Sequence, residues 1–198
     1  MRAHEVKRYD SVLQTLSEPG CPICAFLKNV QARLIQEGNV AEFLQLCNAH
    51  AWAIAAVRQT ETAAQIFLAL ISTRSAYGNH ECSICLRLKQ EEILRMQELL
   101  TALNRRPVVE WVKKHGVLCL PHGLKLRAEA SIADRRLIDN LLEKRASELE
   151  AALRQLLTGA SSGDSHHAGL LGRAAEFLVS QRGISLGHNV RSLQDVKG

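Results

Sequence analysis

Aromatic side chains are scarce in this sequence: four Phe, two Trp and two Tyr among 198 residues. So few rings leave little for stacking on nucleobases. Strand signals are nearly absent as well, with no clear period-two run and no Asn-Gly or Asp-Gly hairpin. The longest apolar run, "IFLALI" (66–71), falls far short of the ~20 residues that a membrane helix needs. The first residues, "MRAHEVKRYDSV", lack the apolar core of a signal peptide, so a cytoplasmic protein with no membrane association is expected. No Gly-rich phosphate loop, Ser-His-Asp order or nucleotide fingerprint occurs.

Helical periodicity is what the chain has in abundance. Apolar residues make up 46% of it, enough for one substantial core or two small ones. Leu88, Ile93, Met96, Leu99, Leu100 and Leu103 recur at helical spacing and predict a helix over 83–105. The leucines from 137 to 157 predict another over 132–158. Gly38 and Asn39, with Glu42 three residues on, read as one helix ending and a capping box opening the next, over 40–58. Further helices are expected over 61–76, from Pro107 to Gly116, and over 169–182. "AYGNH" (76–80) and "GASSGDSHHAG" (159–169) read as a loop and a linker. The expected fold class is all-α, with about seven helices.

The net charge of +5 is uneven: residues 1–79 hold 7 basic and 6 acidic residues, and 80–198 hold 18 and 14. Arg105, Arg106, Lys113, Lys114, Lys125, Arg127, Arg135 and Arg136 fall within 103–136. That stretch is a solvated helix face or a patch for an anionic partner such as a nucleic acid. Trp52 and Trp111 read as core or interface anchors, and Glu91–Arg95 as an i,i+4 pair.

The six cysteines form a pattern. "CPIC" (21–24) is followed after 22 residues by "CNAH" (47–50), and "CSIC" (82–85) after 33 residues by "CLPH" (119–122). No cysteine is left over. "CPICAFLK" and "CSICLRLK" also share an Ile, a Leu and a Lys at equal positions, which reads as an internal duplication. The second copy carries 11 extra residues between its halves, and a longer helical arm absorbs them easily.

Residues three apart on a helical turn project to one side. Two such pairs facing each other supply four ligands to one tetrahedral ion, and zinc favours Cys3His sets with short spacers. The candidate ligands are Cys21, Cys24, Cys47, His50, Cys82, Cys85, Cys119 and His122. An iron–sulfur cluster, which normally takes four Cys, is the lesser candidate. Pro22 and Pro121 suit first helical turns, where free N–H groups favour thiolates. Cys47–His50 is the exception, two turns inside its expected helix unless that helix breaks. A Cys–His catalytic dyad needs an orienting third group; none is nominated, and no enzyme activity is expected. His80, two before Cys82, is a rival ligand that the copies' symmetry disfavours. His166 and His167 lie in the linker.

"EPGCPIC" and "LCNAHAW", followed by "ECSICLRLKQEE" and "GVLCLPH", resemble an uncharacterised family of bacterial helical proteins with two CxxC segments, each followed by CxxH. The resemblance covers roughly 15–125. It implies a bacterial source and the same eight metal ligands, and it implies no activity. This chain lacks the Pro that the family often has after the second CxxC's first cysteine, at position 83.

Two pseudo-symmetric units are expected, 1–79 and 80–158, each closing its own zinc site, with 159–198 as linker, terminal helix and loose tail. Pairing of ligands between the copies is the alternative. Three roles follow: a zinc-stabilised scaffold for a protein partner, engaged through the apolar C-terminal helix or the basic second half; a thiol-based redox or metal sensor; or a nucleic-acid-binding protein. The oligomeric state is left open.

Overall fold

A computed structural model describes residues 20–43, 45–73, 81–158 and 164–180. It contains helices α1 (Pro22–Glu37), α2 (Asn48–Val57), α3 (Thr60–Ser72), α4 (Ser83–Ala102), α5 (Arg106–His115), α6 (Leu120–Glu129), α7 (Ile132–Leu157) and α8 (Asp164–Val179), with a 3-10 turn at Val40–Glu42. No strand occurs among the described residues, and the all-α expectation holds. The helix beyond the expected seven is α6. It holds only ten residues behind Cys119, too few for apolar periodicity to reveal it.

Most boundaries follow local chemistry. Pro107 opens α5 and Gly116 caps it. Ser131 caps the start of α7: its hydroxyl accepts from the Asp134 N–H and donates to the Asp134 carboxylate. The expected helix over 40–58 is different. Asn39 makes no side-chain cap bond. Its amide instead donates to Glu42 Oε1 at 3.2 Å, so the capping box does not form. The chain makes a 3-10 turn and restarts a helix at Asn48. The C-terminal helix begins at Asp164, inside the expected linker. The "AYGNH" loop, His80 and the tail lie outside the described residues.

The described chain divides into two compact units. Unit 1 takes the described residues of Met1–Phe26 and Leu94–Gly183, and unit 2 is Leu27–Ile93. The divisions fall inside α1 and α4. In unit 1, α6, α7 and α8 pack on one another around Leu126, Ile138, Leu141, Leu142, Leu149 and Leu170. Gly123 lets α6 approach α7: a Cβ there would lie 2.6 Å from Leu142 Cδ2 and 3.0 Å from its Cγ. In unit 2, α3 packs on α2 and on the 3-10 turn, burying Ile54, Ala63, Ile66, Leu70 and Phe43. The Arg58 guanidinium donates to the Ile35 and Gly38 carbonyls, satisfying the C-terminal end of α1, and lies over the Phe43 ring.

The i,i+4 pairing on α4 is one turn earlier than expected. Glu91 takes Arg87 at 2.8 Å. Arg95 is turned inward, over the Phe26 ring and onto Glu98 at 3.0 Å. The basic stretch is divided among three helices, and part of it is engaged locally: Lys113 with Glu110, Arg127 with Asp139, and Arg135 with the Ala130 carbonyl.

Candidate metal centres

All four motifs have one local structure. In each, the first cysteine immediately precedes a helix, and its carbonyl accepts the N–H four residues on: Ala25 to Cys21, Ala51 to Cys47, Leu86 to Cys82 and Gly123 to Cys119, at 2.9–3.0 Å. The second ligand falls in that helix's first turn, on the same side. For Cys47–His50 this requires the break before Asn48. The extended backbone of Cys47 (φ −77°, ψ 165°) places the motif at the start of α2, and the exception disappears. Gly20, at φ 93°, turns the chain into Cys21 in a conformation that favours glycine.

The eight residues assemble into two clusters, but each joins a CxxC to a CxxH other than the one that follows it in sequence. Centre A, in unit 1, holds Cys21, Cys24, Cys119 and His122; centre B, in unit 2, holds Cys47, His50, Cys82 and Cys85. Pairing within each copy is therefore overturned. Helix length supplies the reason. α1 has 16 residues and α4 has 20, so each carries the chain about 24–30 Å away from the CxxC at its start. The stretch between Cys85 and Cys119 is 11 residues longer than that between Cys24 and Cys47, and it holds the longer α4 and the helix α5, where the shorter stretch has a 3-10 turn.

In centre A the His122 Nδ1 atom lies 3.5, 3.3 and 3.1 Å from the Cys21, Cys24 and Cys119 sulfurs. Cys24 and Cys119 Sγ are 3.7 Å apart. In centre B the His50 Nδ1 atom lies 3.2, 3.4 and 3.4 Å from the Cys47, Cys82 and Cys85 sulfurs. Cys47 and Cys85 Sγ are 3.8 Å apart. A disulfide would need about 2.0 Å, and none of the six cysteines forms one. A tetrahedral ion with metal–sulfur bonds of about 2.3 Å and metal–nitrogen bonds of about 2.0–2.1 Å has S–S edges of about 3.8 Å and S–N edges of about 3.5–3.6 Å. The donors of each cluster, all within 4.8 Å of one another, fit a single small cation. The four ligands of a four-iron cluster sit on separate irons and have to spread wider.

Charge and burial agree with that fit. Burial pushes the Cys21 thiol up, but hydrogen bonds from Cys119 and Cys24 and the His122 ring outweigh it and hold Cys21 well below its ordinary value. Cys119 moves the opposite way, raised by sharing its proton with the Cys21 and Cys24 sulfurs and by burial. In centre B the Cys85 thiol, the His50 ring and the backbone N–H groups of Cys85 and Cys47 outweigh burial and hold Cys82 down to about 3. A cation among the sulfurs would satisfy three thiolates at once.

Centre B has a support that sequence reasoning missed. Ser83 N–H donates to the Gln45 carbonyl at 3.0 Å, and Gln45 N–H donates to Ser83 Oγ at 3.3 Å. The pair ties the segment entering Cys47 to the start of α4. A proline at position 83 would have no N–H to donate to Gln45.

Compared with protein-family models, curated proteins and solved structures, the chain gives no match. The resemblance noted above rests on its motifs alone. Among the described residues no helix is long and apolar enough to cross a membrane.

Proposed function

We propose that this is a non-catalytic, zinc-stabilised helical scaffold that holds two structural Cys3His ions and presents its surface to a protein partner. The observation that carries the reading is the convergence of three cysteine sulfurs and one histidine nitrogen per centre, all within 4.8 Å of one another. Four protein ligands fill the tetrahedron and leave no position for a reactive water. Three thiolates and a neutral imidazole on a dication leave about one negative charge per site, which N–H groups at the helix starts offset. Each ion ties together segments remote in sequence, 95 residues apart for Cys24 and Cys119, so metal binding and folding are coupled.

Elemental analysis of protein purified without added metal is expected to find about two zinc per chain. Absence of metal, or iron with sulfide, rules the zinc reading out. Pairing has its own test. Cys21→Ser/Cys119→Ser is expected to keep one zinc, and Cys21→Ser/Cys47→Ser to keep none. The opposite result restores pairing within each copy.

One observation favours the second reading, a thiol-based sensor, at one centre only. Cys47 and Cys85 are part-exposed, whereas every ligand of centre A is buried. Exposed thiolates are the ones that oxidise. Loss of one zinc per chain at mild peroxide doses supports this role, and retention of both removes it.

A further inference from the structure

Helix α7 turns one face to the core of unit 1, burying Ile138, Leu141, Leu142 and Leu149. Arg145 stands in the same register: seven residues after Ile138, three after Leu142 and four before Leu149. A charged side chain at a core-facing position is uncommon unless it is paired or functional. The Arg145 side chain is 24% exposed, against 74% for Arg154 further along the helix. Its ion pair with Glu148 is long, at 3.5 Å, and Glu148 is half exposed, so that pair holds it weakly. The Arg145 Nε atom is buried and has no hydrogen-bond partner among the described residues. A buried donor left without an acceptor is destabilising, so a partner is to be sought beside it.

Centre A is what lies beside it. Arg145 lines a cavity of about 30 Å³ together with Cys21 and Cys119, and that is room for a water molecule. One turn before Arg145, Leu142 packs against Gly123, the residue after His122, so this face of α7 backs the helix that carries two of the ligands. Arg173 and Glu176 of α8 line the same cavity. They are exposed and opposite in charge, which leaves Arg145 as the net positive charge there. A zinc ion held by three thiolates and a neutral imidazole leaves about one negative charge in this buried site. The N–H groups at the helix starts bring only partial charges to it, whereas Arg145 brings a whole one. We propose that Arg145 is a positioning residue of centre A: its guanidinium donates through Nε to the Cys21 or Cys119 thiolate, directly or through one water in the cavity, and balances the charge of the loaded site. This role rests on the zinc reading of that centre. Hydrogen-bond partners behind metal ligands commonly change metal affinity by about 10–100-fold.

The test uses the full-length Cys47→Ser/Cys85→Ser chain, in which only centre A keeps four donors. Competition titration gives its zinc affinity, and cobalt(II) in place of zinc gives the sulfur-to-metal charge-transfer band. Arg145→Met keeps the apolar stem and removes the charge and the donor. It is expected to raise the zinc dissociation constant at least about tenfold and to move the cobalt band to lower energy, because thiolates without a hydrogen bond hold their electrons less tightly. Arg145→Lys should fall between Met and the parent in both readouts. Arg154→Met, which removes the same charge from an exposed site on α7, should change neither. Should Arg145→Met fail to fold, Arg145→Lys carries the test: it keeps the charge and loses Nε, so its band must still move. An unchanged affinity, a band that stays in place while affinity falls, or an equal effect of Arg154→Met overturns the role of Arg145. A parent chain that takes up no zinc overturns the zinc reading and this role with it, whereas a parent that binds zinc whatever stands at position 145 overturns this role alone.

Discussion

Centres A and B share ligands, local structure and donor spacing, yet sit in different surroundings. Every ligand of A is buried, with Cys24 and His122 at 0% exposure. Centre B buries Cys82 and His50 but leaves Cys47 and Cys85 part-exposed. Centre A also closes the longer loop, 95 residues between Cys24 and Cys119 against 38 between Cys47 and Cys85. Loop length makes little of this difference: the closure entropies differ by only about 0.8 kcal/mol. Burial has the greater weight, because the centre-A ligands are continuous with the core around α6 and α7. The same set of four donors thus lies wholly buried at one candidate centre and part-exposed at the other.

Ligand substitutions give the widest separation of the two. Cys24→Ser is expected to cost at least about 4 kcal/mol and unfold much of unit 1, because it takes both the ion and its packing from the core. Cys85→Ser should cost less and leave unit 1 folded. Urea unfolding with metal content measured on each variant checks this; equal losses would mean that burial does not distinguish the centres. A chelator offers the kinetic counterpart. Zinc release should be biphasic, with the first equivalent leaving at least about ten times faster than the second. Cys85→Ser should abolish the fast phase.

Two backbone-level substitutions sharpen the comparison on each side. Gly123→Ala forces a Cβ into Leu142 and should destabilise by about 1–3 kcal/mol. It should weaken zinc at centre A and leave centre B unchanged, as read by zinc titration. Ser83→Pro removes the N–H bond to Gln45 and the Ser83 hydroxyl, for about 1 kcal/mol per bond. Its effect should fall on centre B alone.

The eight candidate ligands and the helical class were legible because each is written in short-range spacing. Two donors three residues apart at a helix start need nothing beyond that turn to share a side. The N-terminal halves of α1 and α4, the capped start of α7 and the Pro107–Gly116 boundaries of α5 come from the same local chemistry. The failures are longer-ranged or too short to read. The helix expected over 40–58 breaks because Cys47 is held at the start of α2, where His50 can reach Cys82 and Cys85. The Glu91–Arg95 pair gives way because Arg95 packs on Phe26.

The partition of the eight ligands into centres shows the division most clearly. Composition and spacing alone point to an all-α fold class and to two CxxC and two CxxH donor pairs. Which CxxC meets which CxxH depends on how far α1 and α4 carry the chain before it turns. Rise per residue accumulates over a whole helix and no four-residue motif records it. Tertiary structure therefore joined Cys21 to His122 and Cys82 to His50, and it alone decided which centre is buried.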